Sequence, residues 1–329
     1  MKKQIIDFNK ILESNIYNLD NIYYDNIKVL NMNKAQLKRV YKKYGFTILL
    51  SKNNPKLEKT NKEYKNTSNV GLSIAPHYLN NKKDNIIFNV CNYSNANCRK
   101  DCVIWKAGNP AYMKAKRNAM LNRKELLTSN PQLFLACYIR DLQLHTNYCI
   151  NNKYSLLIRN NVASDISYEN IKVIYNNKNT TMINIINSFI ELVKDYTIDN
   201  VAYDYTKNYN RKQNRHYHKA YSHCDNDINK PLQALKNGLD LAIIFNVAKN
   251  KPLPKYYKLG KLKLMVVDGD KNDYIAEFRN KYPLKTIVRG LRIKFNAKDN
   301  KLKRKRVQPV HCVGLVKNLL ILLLTNKLL

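Results

Sequence analysis

Strand-like runs of apolar residues recur along this chain at positions 70–74, 86–90, 154–159, 200–203, 216–221, 239–245, 264–267 and 286–290. Several are apolar without interruption, which predicts strands buried on both faces, and most end in a polar residue. Between them lie stretches with helical periodicity, at residues 182–196 and 231–237. Pro110 is placed to open a further helix that continues through Leu127, and Pro131 to open another, since proline is tolerated in a first turn. Strands alternating with helices predict a parallel sheet with flanking helices. Six to eight such units fit an α/β barrel, TIM-type or partial, better than an open sheet.

Three segments follow from this pattern. Residues 1–67 have an amphipathic patch at 35–41 and few breakers, which predicts a basic helical N-terminal extension ending in a polar linker near 51–69. Residues 68–298 form the barrel-like domain. Residues 299–329 hold a basic run at 301–306 and an aliphatic stretch at 319–324, too short to span a bilayer.

A barrel brings the polar residues at its strand ends to one mouth. Asp165, Asp204, Ser222, Asp268 and Asp270 all follow predicted strands. Taken singly, each also suits a turn or a helix cap. His216 and His218 share one strand face and form a dense patch with His223, Cys224 and Asp225. Asp165, Asp204, His218 and Asp268 are therefore the candidate catalytic residues. Arg159, Asn161, Lys207, Ser222 and Asp270 are the candidate substrate contacts, with Asp273 extending the last acidic loop. No G-x-S-x-G elbow is present, so a serine hydrolase is not indicated.

Cys91, Cys98 and Cys102 concentrate soft ligands in one polar loop after the run at 86–90. Three thiolates suit zinc or an iron–sulfur cluster and leave a fourth position for a distant side chain, a water or a substrate. The alternative, three small buried hydrophobes, fits poorly among Asn92, Asn95, Asn97, Arg99, Lys100 and Asp101. Seven cysteines, an odd number, do not resemble a secreted disulfide scaffold, and the N-terminus makes a poor signal peptide, so a reducing cytoplasm is expected.

The net charge of +34, from 58 Lys+Arg against 24 Asp+Glu, changes the picture again. A surface this positive binds polyanions by releasing their counterions, so nucleic acid is the expected partner.

From the cysteine loop onward the chain resembles the phage gene product 88 family. The resemblance is carried by the cysteine loop, by Leu157-Ile158-Arg159 with Asn161 and Asp165, and by Tyr203-Asp204-Tyr205-Thr206-Lys207. It continues through Tyr217-His218 with Ser222, Asp268-Gly269-Asp270 and Ile287-Val288 with Gly290. It covers residues 70–296 and implies a barrel-like α/β protein of an infected cell, but no particular reaction. In the placement of its cysteine loop the chain is also similar to radical S-adenosylmethionine enzymes. The C-x3-C-x2-C spacing of those enzymes is absent, so S-adenosylmethionine has no motif to support it. Two functions are expected: a metal or iron–sulfur enzyme acting on nucleic acid or nucleotides, or a non-catalytic nucleic-acid binder with structural zinc.

Overall fold

The computed structural model describes residues 4–76, 86–100, 102–106, 113–193, 201–224, 227–248, 250–271 and 287–292. Pro110, Asp225, Asp273, the basic run and the aliphatic tail lie outside the described residues.

Each apolar run from residue 70 to 245 becomes a strand. They are β6 (Thr67–Leu72), β7 (Ile86–Asn89), β8 (Ser155–Arg159), β11 (Val201–Thr206), β12 (Tyr217–Ser222) and β13 (Asp240–Phe245), followed by β15 (Leu262–Asp268) and β16 (Ile287–Arg292). Apart from β7, these strands build one sheet, with β5 (Leu50–Ser51) and β14 (Tyr256–Leu259) at its edges. The order is β14-β15-β16-β13-β12-β11-β8-β6-β5. Pairing is parallel from β6 to β15 and antiparallel only at the two edges. The protein is therefore a mixed α/β structure with a nine-stranded, mostly parallel sheet. No pairing among the described residues joins β5 to β14, so no closed barrel is seen.

Alternation along the strands separates two faces. Leu156, Ile158, Ala202 and Tyr217 join a large core with the helices α6 (Lys114–Ser129), α7 (Pro131–Asn152) and α8 (Met182–Glu191). Burying each such Leu or Ile side chain contributes about 1.5–3 kcal/mol. Leu241, Ile243 and Phe245 pack on α9 (Asn229–Lys236) in the same way. Leu157, Tyr203, Ala220 and Ala242 point to the other face, with Tyr205. Pro131 opens its helix as expected, with Asn130 capping it by accepting from the Leu133 N–H at 3.0 Å.

The first 67 residues are not purely helical. β1 (Gln4–Asp7) pairs with β7, and β2 (Ile16–Asn18) pairs with β9 (Lys172–Tyr175). The expected linker contains α3 (Pro55–Glu63), after α1 (Phe8–Ser14) and α2 (Lys34–Lys43). Phe8, Leu12, Leu37 and Val40 enter the main core, so this segment is part of the same packing. Its strands are two to four residues long, too short to show an alternating pattern. No helix among the described residues is long and apolar enough to cross a membrane.

Candidate functional site

A cavity of about 230 Å³ opens where β8, β11, β12 and β13 end. The carboxyl edge of a parallel sheet is where such folds place their ligands, because each strand there hands over to a loop that is free to vary. Arg159, Asn161, Asp165, Lys207 and Ser222 reach the cavity from the strand ends, and Cys91, Cys98 and Cys102 from the loop after β7. Eight of the twelve predicted site residues thus share one space.

Asparagine side chains shape the cysteine loop. Asn89 Oδ1 accepts from the Cys91 N–H at 2.9 Å, and the Ser94 N–H and hydroxyl both donate to the Cys91 carbonyl at 3.0 and 2.6 Å. Asn95 Oδ1 accepts from the Cys98 N–H at 2.7 Å, fixing the start of the short helix α4 (Ala96–Lys100). Its Nδ2 donates to Cys224 Sγ at 3.2 Å. The loop is anchored to the sheet where the Asp165 N–H donates to the Val90 carbonyl at 2.9 Å. The Cys91 thiol points to the Ala163 carbonyl at 3.7 Å.

Two lysines stand close to these thiols. Burial pushes the Cys98 thiol up, the Lys207 ammonium pulls it back, and Cys224, Cys102 and Asp165 push it further. Burial lowers Lys124, on α6, to about 8, against the pull of Cys91. Cations beside thiols favour their ionised, metal-binding form. Among the described residues, no three His, Cys, Asp or Glu side chains stand close enough to enclose one ion as they are. Ligation would require the loop to draw in around the metal, the usual coupling of metal binding to local folding.

The two central carboxylates lie deep. Asp165 Oδ1 accepts from the Thr206 hydroxyl at 2.7 Å and Oδ2 from the Lys207 N–H at 2.8 Å, while Arg211 Nη1 lies at 3.3 Å. Burial raises its pKa, and Arg211 and these donors oppose the rise. Asp204 is fully buried beneath the cavity, and burial raises it to about 6. Its oxygens accept from the Asn161 N–H at 2.7 Å, from Asn161 Nδ2 at 2.6 Å and from the Tyr217 hydroxyl. Asn161 in turn receives the Ser164 hydroxyl at 2.8 Å and the Ile166 N–H at 2.9 Å. Asp204 therefore positions the loop through Asn161 and does not face the cavity.

Lys207 Nζ donates to the Ser222 carbonyl at 2.6 Å and hydroxyl at 3.1 Å, bridging the ends of β11 and β12. The Arg159 guanidinium lies over the Tyr205 ring at 5.0 Å, and that of Arg289 over the same ring at 5.4 Å. Three predicted residues fall elsewhere. His218 sits near the amino end of β12, its Nε2 at 3.0 Å from the Arg215 carbonyl. Asp268 and Asp270 pair with the Arg292 guanidinium at 2.9 and 3.1 Å, and neither lines the cavity. Burial pushes Asp268 up, but the Arg292 hydrogen bond, the Asp270 N–H and the charges of Arg292 and Lys271 together outweigh it and hold the carboxyl below its usual range.

The structure adds residues that sequence reasoning did not assign. Cys224 lines the cavity two positions beyond the end of β12, a place comparable to that of the other strand-end candidates. Arg211, remote from any predicted strand end, is buried between Asp165 and Glu169, with Nε at 2.6 Å from Glu169 Oε1. Nothing in its local sequence marks it.

The family model described as Gene product 88 matches residues 48–306. The match takes in the basic run at 301–306 as well as the whole of the expected stretch at 70–296. No curated protein and no solved structure matches the chain. With the family match spanning most of its length, the chain belongs to the gene product 88 family.

Proposed function

We propose that this protein is a metal-dependent enzyme acting on a nucleic acid or nucleotide. Cys91, Cys98 and Cys102 would hold an iron–sulfur cluster or zinc, and Arg159, Lys207 and Ser222 would hold the substrate's phosphate. One observation carries this reading: the three loop cysteines line the same cavity as these strand-end side chains. A zinc ion that only braces its loop has no use for an adjoining cavity lined by Arg159, Lys207 and Ser222. Here about 230 Å³ adjoins the thiols, several times the roughly 30 Å³ share of one water.

The donor set supports a soft metal, since thiolates bind zinc or iron readily and Lys207 and Lys124 would offset their charge. Arg159 and Lys207 suit an anionic group, and the net charge of +34 would draw a polyanion to the surface around them. Asp165, held by Arg211, is the carboxylate nearest to a general-base role. On this reading the sheet is a partial barrel with its mouth at the cavity. The support is its run of parallel pairings and the face bearing Arg159, Tyr203, Tyr205 and Arg289. A reducing cytoplasm would suit its free thiols.

The test is binding to the metal-loaded protein, measured with a fluorescent oligonucleotide and with single nucleotides over a salt series. Lys207→Met should weaken both by about tenfold, the order of one lost charge-assisted contact. Unchanged affinity for both would remove the cavity from substrate binding.

A further inference from the structure

We infer that Cys224 is the fourth thiolate ligand of the metal held by the cysteine loop. The inference rests on the reading above and deepens it. The loop supplies three sulfurs, and a tetrahedral soft-metal site takes four ligands. Cys224 comes from the end of β12, more than a hundred residues from the loop, yet lines the same cavity as Cys91, Cys98 and Cys102. Its side chain is buried, as a ligand's would be, while the three loop cysteines are half-buried.

One residue sets the approach of the two segments. Asn95 binds the Cys98 backbone N–H through Oδ1 at 2.7 Å and the Cys224 sulfur through Nδ2 at 3.2 Å. The same amide therefore orients a loop ligand and donates to the strand-borne sulfur. An N–H donor to a ligating sulfur is a recurrent outer-sphere feature that orients the ligand and tunes the metal. Cys98 also lies near enough to feel the charge of Cys224. The other described cysteines, Cys137 and Cys149, belong to the core and do not line the cavity.

The ligand class is a soft ion, zinc or the iron of a cluster, in an all-sulfur environment. Its consequence is spatial. With four protein sulfurs the metal is closed, and the substrate lies beside it, against Arg159, Lys207 and Ser222, without binding to it.

The experiment uses the full chain reconstituted with zinc alone under anaerobic conditions. Zinc affinity and the number of sulfurs around the metal, from X-ray absorption, are compared for the wild type and for Cys98→Ser, Cys224→Ser and Cys224→His. The wild type should show four sulfurs. Cys224→Ser should show three and lose affinity at least about tenfold, and Cys224→His should recover affinity with one nitrogen in place of one sulfur. Recovery by histidine separates lost ligation from misfolding. Three sulfurs in the wild type, unchanged in Cys224→Ser, would overturn the inference and leave the loop site standing. Failure of the wild type to bind zinc here, and iron in a parallel anaerobic reconstitution, would overturn both.

Discussion

Asp204 grips Asn161 twice, accepting from its backbone N–H at 2.7 Å and its side-chain amide at 2.6 Å. The pair joins β11 to the loop after β8 and so sets the cavity floor. Asp204→Ala would leave these two donors and the Tyr217 hydroxyl without their acceptor in a dry interior. Stability should fall by about 3–5 kcal/mol, read from chemical denaturation, as expected when a buried charged hydrogen-bond partner is removed. A loss below about 1 kcal/mol, the scale of an ordinary surface change, would contradict this positioning role.

Lys219, buried on β12, gives a pH signature. Burial lowers its pKa to about 8, with Glu169 opposing, whereas an unfolded chain's lysine titrates near about 10.4. Between those values only the unfolded chain keeps the proton, so this group makes stability rise with pH across that window. Below about 8 both states are charged and the full burial cost applies. Denaturation midpoints of the wild type and Lys219→Met should therefore diverge from pH 8 upward, the wild type gaining. Parallel profiles would count against a depressed lysine.

The strands were the most legible part of the chain. β8, β11 and β13 are apolar runs with little interruption, and a pattern of that kind survives any tertiary context. The hairpin of β9 with β10 (Lys178–Thr181) was not foreseen, although Asn176 and Asn177 at φ 51° and 58° give it the left-handed turn that asparagine tolerates. Nor was β14, which pairs with β15 through a turn containing Gly260 at φ 56°. The chain also places β16 between β13 and β15, a crossing that no local pattern encodes. At the site, Asp165 and Ser222 of the expected strand-end set line the cavity, while Asp204 lies buried outside its lining. The strand-end pattern could not reveal that Asp268 and Asp270 would meet Arg292, because that contact depends on the register of β15 against β16.

Gly71, on β6, tests how tightly the cavity is backed. A Cβ there would sit 2.5 Å from Val162 Cγ2 and 2.9 Å from Leu57 Cδ1. Gly71→Ala should cost about 1–3 kcal/mol by overpacking and should disturb Val162, which lines the cavity. A thermal melt coincident with the wild type would show that the loop yields freely.

The acidic pair outside the cavity supplies a control. Asp270→Asn weakens one partner of Arg292, so stability should change by about 1 kcal/mol or less, the scale of a partly exposed ion pair. Oligonucleotide affinity of the metal-loaded protein should remain that of the wild type. A loss of affinity matching that of Lys207→Met would extend the site to the β15 end of the sheet.

The central claim is that the cysteine loop binds metal, and anaerobic purification followed by metal analysis and an absorption spectrum tests it most directly. The account predicts about one zinc or one iron–sulfur centre per chain in the wild type, and its loss in Cys98→Ala with the melting transition retained. A wild-type chain that carries no metal, and takes up neither zinc nor iron on anaerobic reconstitution, would contradict it.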